Sequence, residues 1–380
     1  MMITSKLPEV GTNIFSVMSD LAAEHGAINL SQGFPDFDPP PALIDLVATH
    51  MRAGHNQYAL MHGVEPLRER IAAKVANLYG NPVNPETEIT MTSGATEALY
   101  AAITAVVRPG DEVVVLEPAF DSYVPAIRLN GGRPVFVSMK QPDYRIDWDQ
   151  VEGVIGEKTR LIIVNSPHNP TGTVLSRADV SALKQIVANR DIFIVSDEVY
   201  EHIIFDGLAH ESLLKDPQLY SKSFVISSFG KTYHTTGWKI GYCVAPPFIT
   251  NEFRRIHQFL TFASCTPIQL AYADIMADPS LYLDLSSFYQ EKRDQFLTLL
   301  QGSRFKPHPC RGTYFQMMEY SEISDLDDVA FSRKMTVEHK VAAIPPSVFY
   351  HDGEDNRVLR FCFAKRDETL EQAAEILCRI

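Results

Sequence analysis

Between about residue 110 and residue 245 the chain alternates short, almost wholly apolar runs with helical segments. The runs are residues 112–116, 134–137, 161–164, 192–195, 224–227 and 241–244. A strand with one wet face alternates apolar and polar residues. These runs do not, so each is expected to be buried on both faces, which calls for a mostly parallel sheet sandwiched between helices. In open α/β sheets of this kind, ligands collect beyond the carboxyl ends of the strands. The residues that follow each run are therefore where function is to be sought.

Five stretches stand at such ends. Thr92-Ser93-Gly94-Ala95-Thr96-Glu97 opens an Ala-rich helix whose small residues leave its first amides open to an anion, although plain N-capping would use the same residues. Glu117-Pro118-Ala119-Phe120-Asp121-Ser122-Tyr123 puts Phe120 at the crevice, to stack on a planar ligand or to fill core. Asn165-Ser166-Pro167-His168-Asn169-Pro170 presents Asn169 as an amide donor, or simply starts a turn. Ser196-Asp197-Glu198-Val199-Tyr200 places a carboxylate at the mouth of a buried strand, costly there unless paired with a cation or donors, and a phenol just beyond. Ser227-Ser228-Phe229-Gly230-Lys231 offers an amine where a strand ends, with a second cation, Lys239, before Gly241. Any one of these could be structural; together they assemble one polar site on one sheet edge.

Outside the alternating region, helices are expected over residues 14–23, 41–54, 65–79, 248–260 and 267–302. A mixed region follows: a strand-like stretch at 312–318, a helix near 326–339, runs at 341–344 and 358–363, and a terminal helix from about 367. This gives three parts: an N-terminal segment, 1–40, that joins a small domain; a large domain, 41–275; and a small α+β domain, 276–380.

At 380 residues with 45% apolar side chains, the chain can bury a core for two domains. A net charge of −13 argues against a nucleic-acid partner, which needs a basic face. No run approaches the roughly 18 apolar residues of a membrane span, and Met1-Met2-Ile3-Thr4-Ser5-Lys6 lacks the apolar stretch of a signal peptide, so a cytoplasmic location is expected. Five scattered cysteines without a Cys-x-x-Cys pair suit reduced thiols, and His55, His62, His168 and His234 show neither triad nor metal spacing, so no metal is expected.

An amine beside an anion site and a buried carboxylate suits Schiff-base chemistry, and pyridoxal phosphate asks for these parts: a phosphate cradle, a ring to stack on, a lysine for its aldehyde and an anion for its pyridine nitrogen. The motifs around Ser93–Glu97, Asn165–Pro170, Ser196–Tyr200, Ser228 with Lys231 and Lys239, together with Arg360-Phe361-Cys362-Phe363-Ala364, resemble the fold-type I, class I aminotransferases over essentially the whole chain. Asn29-Leu30-Ser31-Gln32-Gly33-Phe34-Pro35-Asp36, Asn56-Gln57-Tyr58 and Ala343-Ile344-Pro345-Pro346-Ser347 are similar to the kynurenine/glutamine transaminase branch, above all its bacterial methionine aminotransferases.

The resemblance implies roles. Lys231 would form the Schiff base and shuttle the substrate's α-proton. Asp197 would pair with the pyridinium nitrogen, Asn169 and Tyr200 would bond the phenolic oxygen, and Phe120 would stack on the ring. Gly94, Ala95, Thr96, Ser228 and Lys239 would hold the phosphate. Arg360 would grip the substrate carboxylate as a bidentate fork, with Gly33 and Asn169 nearby. In the family a homodimer shares its active sites, so Tyr58 and Phe262 would reach across the interface. A pocket wall of Phe15, Tyr58, Tyr123 and Phe262, without a second arginine, favours methionine, aromatic or other apolar amino acids, with a 2-oxo acid as partner. Two alternatives use the same residues: β-elimination from cysteine conjugates, and a non-catalytic cofactor-sensing module, the latter disfavoured by the full lysine–aspartate–arginine set.

Overall fold

The computed structural model describes residues 3–380; Met1 and Met2, which open the N-terminal segment, lie outside the described residues. Among the described residues twelve strands occur in chain order: β1 Ile28–Asn29, β2 Ile89–Thr92, β3 Glu112–Glu117, β4 Arg133–Ser138, β5 Thr159–Asn165, β6 Phe193–Asp197, β7 Ser223–Ser228, β8 Gly241–Val244, β9 Lys306–Pro307, β10 Phe315–Glu319, β11 Val341–Ala342 and β12 Val358–Cys362. Seven form the central sheet in the order β2-β8-β7-β6-β5-β3-β4. β8 is antiparallel to both its neighbours, β2 and β7, and every other pairing is parallel.

The apolar runs predict six of these strands within a residue or two of their ends. β2 escapes such a reading because Ile89-Thr90-Met91-Thr92 looks half-polar, yet all four residues are buried. Both faces of the sheet are covered. On one lie α2 (Pro41–Arg52, after α1, Ile14–His25) and α3 (Glu65–Tyr79), packed with Ile71, Val75, Val225 and Val244. On the other lie α4 (Ala95–Val106), α5 (Tyr123–Leu129) and the helix Pro247–Leu260, packed with Leu99, Phe224, Ile226 and Phe253.

The expected single helix over 267–302 is three: Thr266–Ile275, Ser280–Leu283 and Leu285–Leu299. Pro279 cannot continue a helix, and Asp278 accepts from the Ser280 backbone and hydroxyl, starting a new one. Beyond them, β10 pairs antiparallel with β9 and β12. The N-terminal segment returns to this region: β1 pairs with β11, and the Leu30 carbonyl accepts from the Cys362 amide at 2.8 Å. Leu30 lies in one core cluster with Tyr314, Phe315, Phe331, Leu359 and Phe361.

One close approach sets the sheet edge. A Cβ on Gly241 would stand 2.8 Å from the Ala95 nitrogen, 2.8 Å from the Gly94 carbonyl carbon and 2.9 Å from the Ser227 oxygen, all backbone. Only glycine lets α4 start this close to β7 and β8. Gly241→Ala should therefore lower stability by about 1–3 kcal/mol and push the α4 N-terminus away from β8, measurable by thermal unfolding and by weaker anion binding at that helix end.

Candidate active site

A cavity of about 310 Å³ opens at the carboxyl ends of β5, β6 and β7. Its floor on one side is the start of α4. Gly94, at φ 79°, turns the chain into the helix and has no side chain to cap it, so the Ala95 and Thr96 amides face the cavity as an anion site. Lys239, itself in the left-handed region at φ 56°, brings its Nζ within 3.4 Å of where a Gly94 Cβ would be. Ser228 completes that end, its oxygen accepting from the Gly230 amide at 3.3 Å to start the one-turn helix Phe229–Thr232 that carries Lys231.

The Lys231 Nζ donates to the Gly33 carbonyl at 3.2 Å and lies over the Tyr200 and Tyr314 rings at 5.6 and 5.8 Å. Burial lowers its pKa to about 8, and the nearby Arg360 and Lys239 charges push the same way. An amine so placed loses its proton in mildly basic solution, well below the range of an exposed lysine. Tyr314 fixes the other side of the contact, donating to the same carbonyl at 2.7 Å.

Asp197 ends β6 and is 3% exposed. The Tyr123 hydroxyl donates to its Oδ2 at 2.7 Å, and burial pushes its pKa up to about 6 against that bond. Asn165 locks the strand end: its Nδ2 donates to the Asp197 carbonyl at 2.8 Å and its Oδ1 accepts from the Asn169 amide at 2.8 Å.

Arg360, from β12, is fully buried. Its Nη1 donates to Asn169 Oδ1 and its Nη2 to the Ser31 carbonyl, both at 2.8 Å, and the Phe315 ring lies 3.9 Å beneath its guanidinium. Its Nε has no partner, and no carboxylate among the described residues stands within ion-pair distance. Burial lowers its pKa to about 10. A buried cation with an orphaned donor calls for an anion from outside the chain.

Thirteen of the residues singled out in the sequence line this one cavity: Phe15, Gly33, Gly94, Ala95, Thr96, Phe120, Asn169, Asp197, Tyr200, Ser228, Lys231, Lys239 and Arg360. Three do not. Tyr123, expected in the pocket wall, is 2% exposed and sits behind Asp197, because α5 turns its hydroxyl toward that carboxylate. Tyr58 and Phe262 pack on each other at 5.6 Å outside the cavity, 85% and 45% exposed. Sequence reading missed Asn165, Tyr314 and Phe315 as parts of the site. Asn165 carried a signal, since an amide ends a buried run there; Tyr314 and Phe315 read only as strand. Among the described residues, no group of three acidic, cysteine or histidine side chains could hold a metal, and no helix is long and apolar enough to cross a membrane.

An anion cradle, a nucleophilic amine and a buried carboxylate on the switch edge of a doubly covered sheet define an enzyme of amine and carbonyl chemistry. The chain belongs to the aminotransferase class I and II family, whose model matches residues 25–377 and whose members depend on pyridoxal phosphate, and it is an aminotransferase. It is 53% identical over 374 residues to a methionine aminotransferase of Escherichia coli, covering 98% of this chain and 97% of that protein. A kynurenine–oxoglutarate transaminase of Dictyostelium discoideum is 34% identical over 410 residues, covering 97% and 94%. The crystal structure of an Escherichia coli protein identified as a methionine aminotransferase superposes with a TM-score of 0.98 at 52% identity over the whole of both chains.

Two measurements probe this geometry. The rate at which cofactor-free protein reacts with an aldehyde should rise with pH through a midpoint near 8, where Lys231 loses its proton, rather than near the 10.5 of an exposed lysine. Tyr123→Phe, which removes a donor to a buried carboxylate, should leave the fold intact and lower kcat by about 10- to 100-fold, read in steady-state kinetics.

Proposed function

We propose that the cavity holds pyridoxal 5'-phosphate and that the enzyme transaminates methionine, aromatic or other apolar amino acids with a 2-oxo acid as partner. The observation that carries the reading is the buried Arg360 with its unpartnered Nε, facing the same cavity as the Lys231 amine. A substrate carboxylate would complete the guanidinium and set the α-carbon beside the amine.

The donors present suit the cofactor. The Ala95 and Thr96 amides, Ser228 and Lys239 would take its phosphate, with Gly94 at a φ of 79° that side-chain-bearing residues rarely adopt. Phe120 would cover one ring face. Asn169 and Tyr200 would bond the phenolic oxygen. Asp197, pinned by Tyr123, would face the pyridine nitrogen, and a protonated nitrogen is the cation its buried carboxylate lacks. When bound, the cofactor supplies a conjugated ring that accepts the electron pair left when the α-proton departs. Lys231 would hold the cofactor at its aldehyde, and the free Nζ would take up the substrate's α-proton and return it. Gly33 and Asn169 would stand beside Arg360 at the carboxylate.

The substrate class rests on the walls. Phe15, Phe34, Phe315 and Val199 line the cavity, and Arg360 is its one arginine among the described residues. A side-chain carboxylate would have no second guanidinium to meet it, whereas a thioether or aromatic ring finds apolar surface. The relative named a methionine aminotransferase supports the same choice. The exposed Tyr58 and Phe262 support a homodimer in which each chain completes its partner's site, Tyr58 at the phosphate. The unpaired state of all five cysteines fits a cytoplasmic enzyme. We read a large domain, 41–275, and a small one, 276–380 with 1–40; on that reading Arg360 and Lys231 belong to different domains.

A panel of amino and 2-oxo acids, followed by the cofactor's absorbance, tests this. Methionine and phenylalanine should exceed aspartate in kcat/KM by about 100-fold or more, the discrimination an apolar pocket gives against an unpaired charge. Faster turnover of aspartate would overturn the substrate class. Pyruvate and ammonia released from a cysteine conjugate without any 2-oxo acid would mark β-elimination instead.

A further inference from the structure

Behind the cavity lies a second polar cluster, fully enclosed in the core. Lys74, from α3, is 4% exposed, and its Nζ donates to Glu201 Oε1 at 2.6 Å and to the Tyr242 hydroxyl at 2.5 Å. Glu201 Oε1 also accepts from the Ser227 hydroxyl at 2.6 Å and from Tyr242 at 3.0 Å. Its other oxygen accepts from the Tyr79 hydroxyl. One carboxylate thus gathers α3, β7, β8 and the segment after β6.

The members of this cluster are sequence neighbours of the residues at the site. Successive residues of a strand point to opposite faces. Ser228 lines the cavity, and Ser227 turns back to Glu201. Gly241 meets the start of α4, and Tyr242, paired with Ser227 across the ladder, points to the same cluster. Past β6 the pattern continues: Asp197 and Tyr200 line the cavity, while Glu198 and Glu201 turn away from it. Glu198 has its own partners, the Ser196 hydroxyl at 2.7 Å, the Leu213 amide at 3.1 Å and His210 at 2.7 Å. A buried ion pair with this many donors is weak evidence for stability, since apolar side chains of like volume would often serve as well. What it supplies is a fixed geometry.

We infer that the Glu201 cluster is a positioning layer, in which Ser227 and Tyr242, held by Glu201 and Lys74, fix the ends of β7 and β8 so that Ser228, Lys231 and the start of α4 keep their spacing. Glu201, Lys74, Ser227 and Tyr242 touch neither substrate nor cofactor and act through the residues beside them. The inference rests on the reading that the cavity holds pyridoxal phosphate.

The test uses conservative variants that leave the ion pair intact. The double variant Ser227→Ala/Tyr242→Phe removes both hydroxyl donors on the sheet side. Tyr220→Phe is the control: its hydroxyl donates to Glu88 at 2.7 Å, a bond of the same chemistry near the amino-terminal ends of β2 and β7, far from the site edge. Thermal midpoints, the dissociation constant of pyridoxal phosphate from cofactor-free protein, and the pH titration of the bound chromophore are measured for each. The double variant should bind the cofactor about tenfold more weakly, the scale of outer-layer hydrogen bonds behind a bound group, with a displaced titration midpoint. Tyr220→Phe should lose stability alone. Wild-type affinity and midpoint in the double variant, or an equal shift in the control, would overturn the inference; should the double variant fail to fold, Ser227→Ala alone carries the same expectation. Wild-type protein that takes up no pyridoxal phosphate would instead end the reading of the cavity on which the inference rests.

Discussion

Burial of the central strands on both faces governs the rest of this molecule. A strand such as β5 or β6 has no wet side on which to carry a polar group, so polar chemistry is pushed to the strand ends. There the backbone leaves the ladder and side chains gain room. Asn165, Asp197 and Ser228 are each the last residue of their strand, and each turns from structural to polar at that point. The edge is also where α4 begins, so the first residues of one helix and the carboxylate of one strand end line the same cavity.

The charges in that cavity shape one another. Lys231, Lys239 and Arg360 line the cavity, and among the described residues Asp197 is the one carboxylate that does. Low polarizability strengthens every interaction there. The amine of Lys231 gives up its proton more readily, Asp197 holds its proton more tightly, and each would return toward its charged form when a partner of opposite sign arrives. A net-acidic protein has thereby made a local site for anions, without the long-range field of a basic surface.

Much of this was legible in the sequence. The apolar runs carried the sheet and its parallel character, and the polar residues directly after them carried Asn169, Asp197, Tyr200 and Lys231. Arg360 was legible only through its surrounding motif, since an arginine between Leu359 and Phe361 fits a rim as well as a core. What stayed hidden depends on distances between segments far apart in the chain. Tyr123 looked like a pocket aromatic because spacing says nothing of which way α5 faces. Asn165 was passed over because its two partners, Asp197 and Asn169, come together only when β5 and β6 pair. β2 was lost because its threonines are polar by composition yet buried by position. The break at Pro279 was legible in principle, and a helical pattern on both sides concealed it.

The pairing of β1 with β11 carries a consequence in time. The segments that build the anion cradle and carry the reactive amine, from Gly94 to Lys239, lie in one continuous stretch of chain. The buried arginine is not part of it: Arg360 bonds the Ser31 carbonyl across 329 positions. As the protein is made, Ile28 and Asn29 leave the ribosome long before Val341 and Ala342 and must wait for them before they have a ladder to join. The surroundings of Arg360 are thus completed late, from segments 329 positions apart in the chain.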